Sequence, residues 1–207
     1  MAFEHYIYAD GKQLRCGYTT GTCAALAASG AVQRLLTGVW PETVSLRTPK
    51  GLTVEVPLEH CRMQGDTAQC SVRKDGGDDV DKTTGALIQA NVSLSDTPGV
   101  RIRGGQGVGR VTKPGLDQPV GEAAINRVPR QMIREAVEAA CRTADYDGGA
   151  EVTISVPEGE AIAQKTFNPQ MGIVGGISIL GTSGIVEPMS MQAMIDTMAL
   201  ELRQAAA

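Results

Sequence analysis

The sequence predicts an α+β fold in which a mixed or mostly antiparallel sheet packs with helices. Three observations predict it. Apolar residues alternate in several short runs, the period of a strand with one buried face. Longer stretches repeat their apolar residues at helical spacing instead. Pro49-Lys50-Gly51 then separates two alternating runs by the length of a hairpin connection. Hydrophobic residues make up 42% of the chain but aromatics only 3%, so the core has to be filled by Ala, Val, Ile, Leu and Met.

Taken in order, "CGYTTGT" leads into "CAALAASGAVQRLLTG", which predicts a helix over Thr22 to Thr37 with Gly38 just past its end. Val44 to Thr48 and Leu52 to Val56 read as the two hairpin strands, and Ala68 to Arg73, Leu87 to Leu94 and Val100 to Arg103 as further strands. From Gly104 to Pro129 no period is sustained and Gly and Pro abound, a stretch too long for an idle connection. Pro129 suits the first turn of a helix, and Met132, Ile133, Ala136, Val137 and Ala140 form one stripe, giving a helix over Arg130 to Arg142. "EVTISVP" returns to strand, and the glycine-rich Gly175 to Leu180 reads as another before "GTSGIVEP". Ser190 is placed to cap a last helix, Met191 to Arg203, whose Met191, Met194, Ile195, Met198 and Leu202 make a packing face.

At 207 residues the chain is long enough to bury a core without staples, and residues 1–207 read as a single α+β domain. A net charge of -4 with two Phe and one Trp argues against nucleic acid as a partner, because neither backbone charge nor base faces would be complemented. Five cysteines, an odd number without a C-x-x-C pair, indicate reduced thiols, mostly buried, and neither a disulfide framework nor a zinc site. "MAFEHYIYADG" lacks the basic and apolar regions of a signal peptide, and no segment is long and apolar enough to span a bilayer. A cytoplasmic protein with no membrane partner is expected.

Three constellations carry candidate chemistry. "VRKDGGDDVDKTTG", Val72 to Gly85, concentrates Asp75, Asp78, Asp79 and Asp81 in one turn-rich loop. It fails as an EF-hand, since Ala86 stands where the twelfth position needs a bidentate Glu. A looser magnesium site, a solvated turn whose aspartates cap backbone donors, and a substrate-facing polar loop all fit its composition. Second, Thr19, Thr20 and Thr22 stand at a helix start, where free N–H groups and the dipole favour an anion, although they can equally serve only as caps. "GGQGVGRVTKPG", Gly104 to Gly115, is glycine-rich like a phosphate cradle but has neither the P-loop order nor the dinucleotide fingerprint. Third, Arg101, Arg103, Arg110, Lys113, Arg127, Arg130 and Arg134 face only Asp117 and Glu122 over the same stretch. A basic segment in an acidic protein points to an anionic ligand, with a solvated face as the alternative.

Taken together, "GYTTGTCAALAA", "KDGGDD", "GGQGVGRVTKPGL", "VGEAAINRVPRQMI" and "KTFNPQMGIVGGISILGTSGIVEPMS" closely resemble the cobalt-precorrin-5B (carbon-1) methyltransferase family of anaerobic cobalamin biosynthesis, CbiD, from about Arg15 to the last helix. The resemblance implies methyl transfer from S-adenosylmethionine to carbon 1 of cobalt-precorrin-5B, an anionic cobalt-corrinoid with acetate and propionate arms, giving cobalt-precorrin-6A. Cobalt enters only as part of the substrate, and no protein metal site is implied. It further implies Asp75, Asp78 and Asp79 as catalytic candidates, for a proton or for the cationic donor. Thr19, Thr20, Thr22, Arg103, Gly104, Gly105, Arg110, Lys113, Asn126 and Arg130 are the substrate-binding candidates, and Gly181, Thr182 and Ser183 the donor-binding ones. The family has a proline and then a histidine after the paired aspartates; Val80 and Lys82-Thr83-Thr84 stand here, so no histidine role carries over. Residues 1–207 correspond to the family's N-terminal, substrate-binding part, and the family's second, nucleotide-binding-like α/β domain is not included in a sequence ending "LELRQAAA". A partner domain or a homo-oligomer is then expected to complete the enzyme. The readings of another class are a non-catalytic tetrapyrrole-binding module and a small-molecule kinase using "GGQGVG".

Overall fold

Alanine dominates the first helix because that helix is enclosed on every side. The computed structural model describes residues 3–9, 11–190, 195 and 199. Strands β1 (Tyr6–Ala9) and β2 (Lys12–Arg15) pair antiparallel, and β3 (Gly17–Tyr18) enters α1 (Thr20–Thr37). Every residue of α1 from Thr20 to Val32 is buried. The helix lies against the sheet on one side and a second helix on another, so small side chains let the backbones approach closely. Thr19 caps its start, accepting from Thr22 N–H at 3.2 Å, and Gly38, at φ 77°, ends it in the left-handed turn expected of a glycine there.

The hairpin of β4 (Thr43–Arg47) and β5 (Thr53–Pro57) follows as expected, with Arg47 opposite Thr53. Next come β6 (Glu59–Gln64), β7 (Thr67–Arg73), β8 (Leu87–Ser95), β9 (Gly99–Gly104), β10 (Gly107–Val108) and β11 (Arg110–Val111). After α2 (Arg127–Thr143) come β12 (Gly149–Ser155), the short α3 (Gly159–Ala163), and β13 (Ile173–Val174), β14 (Gly176–Ile177) and β15 (Ile185–Val186). Five strands make the main sheet in the order β6-β7-β8-β12-β9. Its ladders are antiparallel except β12 with β9, so the sheet is mixed and the α+β class holds. Ile88, Val92, Val152 and Ile154 on its central strands are fully buried, each contributing about 1.5–3 kcal/mol.

Helix α2 starts three residues before the expected Arg130. Its cap comes from a distance: Arg127 N–H donates to Asp117 Oδ2 at 2.5 Å, while Asn126 occupies the N-cap position without a side-chain bond. The apolar stripe could not show this, because the capping carboxylate lies ten residues upstream. The expected loop from Gly104 to Pro129 is also more structured than its composition suggests. β10 pairs parallel with β14, β11 pairs antiparallel with β13, and Ile125 bridges Ile179. Of the strand expected over Gly175 to Leu180, only Gly176–Ile177 is regular, because Leu180 is diverted to the start of α1. The expected last helix lies outside the described residues, apart from Ile195 and Ala199, both helical. Cys16, Cys23, Cys70 and Cys141 are buried free thiols and Cys61 is exposed; burial pushes Cys23 up to about 12, which keeps it protonated.

Candidate functional site

The threonines of "GYTTGT" latch the start of α1 onto residues 178–184. Thr19 N–H and Thr22 Oγ1 both donate to Gly184 O, at 3.1 and 2.7 Å. Thr20 Oγ1 accepts from Leu180 N–H at 2.9 Å and donates to Leu180 O at 3.2 Å. Two donors of the first turn are spent internally as well, Gly21 N–H on Leu180 O and Thr22 N–H on Thr19 Oγ1. Thr22 is fully buried, whereas Thr19 and Thr20 line a cleft. The partial positive charge of the helix end therefore reaches that cleft, although most of the expected N–H cradle is already occupied. At Gly181 a Cβ would collide with Thr19 Oγ1, Ser183 Oγ donates to Ile185 O at 3.0 Å, and Thr182 is exposed.

The acidic loop divides its aspartates between two tasks. Arg15 meets Asp75 in a two-pronged pair, Nη1 to Oδ2 at 2.6 Å and Nη2 to Oδ1 at 2.9 Å, and Gly77 N–H donates to Oδ1 as well. This pairing with Arg15 holds the Asp75 carboxyl below its ordinary range against the opposing effect of burial. Asp78 exchanges bonds with the Arg15 backbone, accepting its N–H on Oδ2 at 2.6 Å and donating its own N–H to Arg15 O at 2.9 Å. Both carboxylates thus fasten the loop to β2. Burial, reinforced by the charge of Asp81, raises Asp79.

Asp81 belongs to the other task. Its Oδ2 accepts from Lys74 Nζ at 2.6 Å, while Oδ1 takes Thr83 N–H at 2.7 Å and Thr83 Oγ1 at 2.6 Å. Burial alone would raise its pKa, but the charge of Lys74 and these bonds carry it below the ordinary value. Lys74 exposes 2% of its side chain, which makes it a buried cation held by one carboxylate. Among the described residues no three His, Cys, Asp or Glu side chains gather as a metal-ligand set.

The basic and glycine-rich candidates are distributed differently. Arg103 is exposed on β9, 3.7 Å from Glu151. Arg110 Nη1 donates to Gly121 O at 2.8 Å and Lys113 Nζ to Gln170 O at 3.1 Å, both at the surface. Arg130 turns inward, donating to Ile125 O at 2.8 Å and Ile102 O at 3.2 Å, and Asn126 N–H donates to Ile179 O at 3.0 Å. A Cβ on Gly104 would collide with Ala123, and one on Gly105 with Ser155. Gly107, at φ 69°, lies so close to Val156 O that any side chain would overlap it, and side chains at Gly159 or Gly176 would overlap Gly107. These glycines let backbones touch. No helix follows Gly104 to Gly115 directly, the next being α2 at Arg127, so the fold lends no support to a phosphate cradle or a kinase.

What the fold does assemble is a cleft of about 200 Å³ between the start of α1, the acidic loop and residues 166–186. Thr19, Thr20, Lys74, Asp81, Thr83 and Asn168 supply its polar surface, and Ile177, Leu180 and Val186 its apolar walls. Lys74 and Asn168 were absent from the sequence-derived candidates. A signal for Lys74 did exist: the apolar Ala68, Cys70 and Val72 alternate with polar residues and face the core, and Lys74 continues their register one step past β7. A cation on the buried side of a strand needs a partner, and Asp81 provides it.

Comparison with known proteins accounts for nearly the whole described chain. The family model described as CbiD matches residues 7–188. The cobalt-precorrin-5B C(1)-methyltransferase of Geobacillus kaustophilus is 57% identical over 182 residues, 88% of this chain and 49% of that protein. The protein of the same name from Ruminiclostridium cellulolyticum is 50% identical over 199 residues, 96% of this chain and 52% of that protein. The crystal structure of cobalamin biosynthesis protein (cbiD) from Archaeoglobus fulgidus superposes with a TM-score of 0.68 at 36% identity, covering 94% of this chain and 62% of that one. The chain spans about half the length of the curated relatives it matches. With the family model matching residues 7–188 and relatives of that name 50–57% identical along most of its length, the chain belongs to the CbiD family.

Proposed function

We propose that this chain forms the corrinoid-binding part of an S-adenosylmethionine-dependent cobalt-precorrin-5B C(1)-methyltransferase of cobalamin biosynthesis, acting in the cytoplasm. The observation that carries this reading is the 57% identity, over 88% of the chain, to a relative of that name. The cleft supports it by placing a buried ammonium and a helix N-terminus where an anionic substrate can reach them.

S-adenosylmethionine brings its methyl already activated on a sulfonium, so the protein's contribution is positioning and exclusion of water. Several of the catalytic and donor-binding candidates are engaged with the protein itself. Asp75 and Asp81 are each paired with a cation, and Gly181 and Ser183 are packed against Thr19 and Ile185. In this reading a partner domain or a second copy of the chain completes the donor site. Residues 1–207 act as one substrate-binding unit.

Titration of the chain with cobalt-precorrin-5B, followed by the corrinoid's visible absorption, tests the proposal. Saturable binding that weakens with salt is expected. Absence of corrinoid binding overturns it. Methyl transfer by this chain alone would assign the donor site to these residues and refute the need for a partner.

A further inference from the structure

The cleft beside α1 contains a cation whose hydrogen-bonding capacity exceeds the partners the protein gives it. An ammonium has three N–H donors. Among the described residues Lys74 Nζ has one hydrogen-bond acceptor, Asp81 Oδ2 at 2.6 Å, although its side chain is 98% withdrawn from solvent by a relative exposure of 2%. Burying an ammonium is costly unless its donors are satisfied, and a single carboxylate leaves two of them directed elsewhere. Asp81 cannot turn to serve them, because its second oxygen is fixed by Thr83 N–H and Oγ1 at 2.7 and 2.6 Å.

The rest of the cleft narrows the chemistry of what could satisfy them. Asn168 also lines it, and its Oδ1 accepts from Ser178 Oγ at 3.3 Å, which orients the amide nitrogen as a further donor. The positive end of α1 reaches the same space through Thr19 and Thr20. Acceptors are therefore wanted at the polar surface. The walls, Ile177, Leu180 and Val186, are apolar and suit methylene groups. A space of about 200 Å³ admits a side arm but not a macrocycle.

We propose that this cleft is a subsite for one carboxylate on a short methylene stem, with Lys74 Nζ, positioned by Asp81, and Asn168 as its donors. Its assignment to a ligand of the enzyme rests on the function proposed above. Two sources have the required chemistry: an acetate or propionate arm of the corrinoid, and the amino-acid carboxylate of the methyl donor. The stem and the apolar walls are common to both.

Sodium propionate is the probe, titrated into the whole chain at constant ionic strength and followed by the amide NMR signals of Thr20, Thr83 and Ser178. Saturable shifts are expected, with none from propionamide, which has the same shape without the charge. The double variant Lys74→Met/Asp81→Asn removes the ion pair without leaving an orphan charge, and should weaken propionate at least about tenfold, the scale of one charge-assisted hydrogen bond. Lys74→Arg should retain binding. Shifts equal for propionate and propionamide, an unchanged affinity in the folded double variant, or no saturable shift overturns the subsite; the wild-type comparison decides the matter even if the double variant does not fold. Displacement of propionate by a carboxylate-bearing corrinoid but not by its fully amidated form assigns the arm. Displacement by S-adenosylmethionine but not by methylthioadenosine assigns the donor. Propionate binding that neither displaces supports the subsite and overturns its assignment to the corrinoid or the donor, while the corrinoid absorption titration decides the proposed function separately.

Discussion

The acidic loop, Val72 to Gly85, and the basic segment, Arg101 to Arg134, look like mirror images in sequence, yet they handle charge in opposite ways. The loop spends its carboxylates on partners within the protein: Asp75 and Asp78 on Arg15, and Asp81 on a buried lysine beneath a cleft. The basic segment keeps most of its charges at the surface, as with Arg103, Arg110 and Lys113, and turns one half-buried side chain, Arg130, onto backbone carbonyls. The difference teaches that clustered charge identifies a ligand site only after internal partners have been subtracted. By that measure the acidic loop contributes the most ligand-ready cation of the two regions, Lys74.

Stability measurements can break this contrast. Lys74→Met leaves Asp81 without its counter-ion in a mostly buried setting, and should destabilise by about 3 kcal/mol in urea unfolding, the lower end for a broken buried pair because Asp81 keeps some exposure. Arg130→Met should follow at about 2 kcal/mol, since it strands the carbonyls of Ile125 and Ile102. If both changes cost no more than Arg103→Ala, the distinction between inward and outward charge is abolished.

A smaller effect sharpens the contrast by its pH dependence. Asp75→Asn weakens a half-exposed pair and should cost about 1 kcal/mol at neutral pH. The folded Asp75 has a depressed pKa, so its stabilisation is present above the unfolded value near 4 and disappears as pH falls through the folded value. Thermal unfolding of the wild type should therefore lose more on acidification than that of the variant, and the two should converge in acid. Arg103→Ala should be smallest, within about 0.5 kcal/mol, as for most surface substitutions. Its effect should appear instead as weaker corrinoid binding at low salt, measured by absorption titration.

The long periodic elements were legible in the sequence for a simple reason: each carries its own signal. Thr22 to Thr37, the hairpin around Pro49 to Gly51 and the strands later found as β7, β8, β9 and β12 need no distant partner to be recognised. The two-residue strands β3, β10, β11, β13, β14 and β15 exist only through partners far away in sequence, so no local period marks them. The same holds for the cleft. Thr19 and Thr20 were legible from their place at a helix start, but Asn168 reaches them through tertiary folding alone. Glycines 104 to 109 suggested a ligand loop because close contact between backbones and close approach of a ligand demand the same residue.

The latch at the start of α1 also sets a timetable. Thr20 bonds to Leu180, 160 residues later, so an apolar helix made early in synthesis cannot be locked until nearly all the described chain has been translated. At the usual elongation rates that interval is on the order of ten seconds. Until then the end of α1 that residues 178–184 cover stays open to water, whereas α2, complete by Thr143, is available to pack earlier.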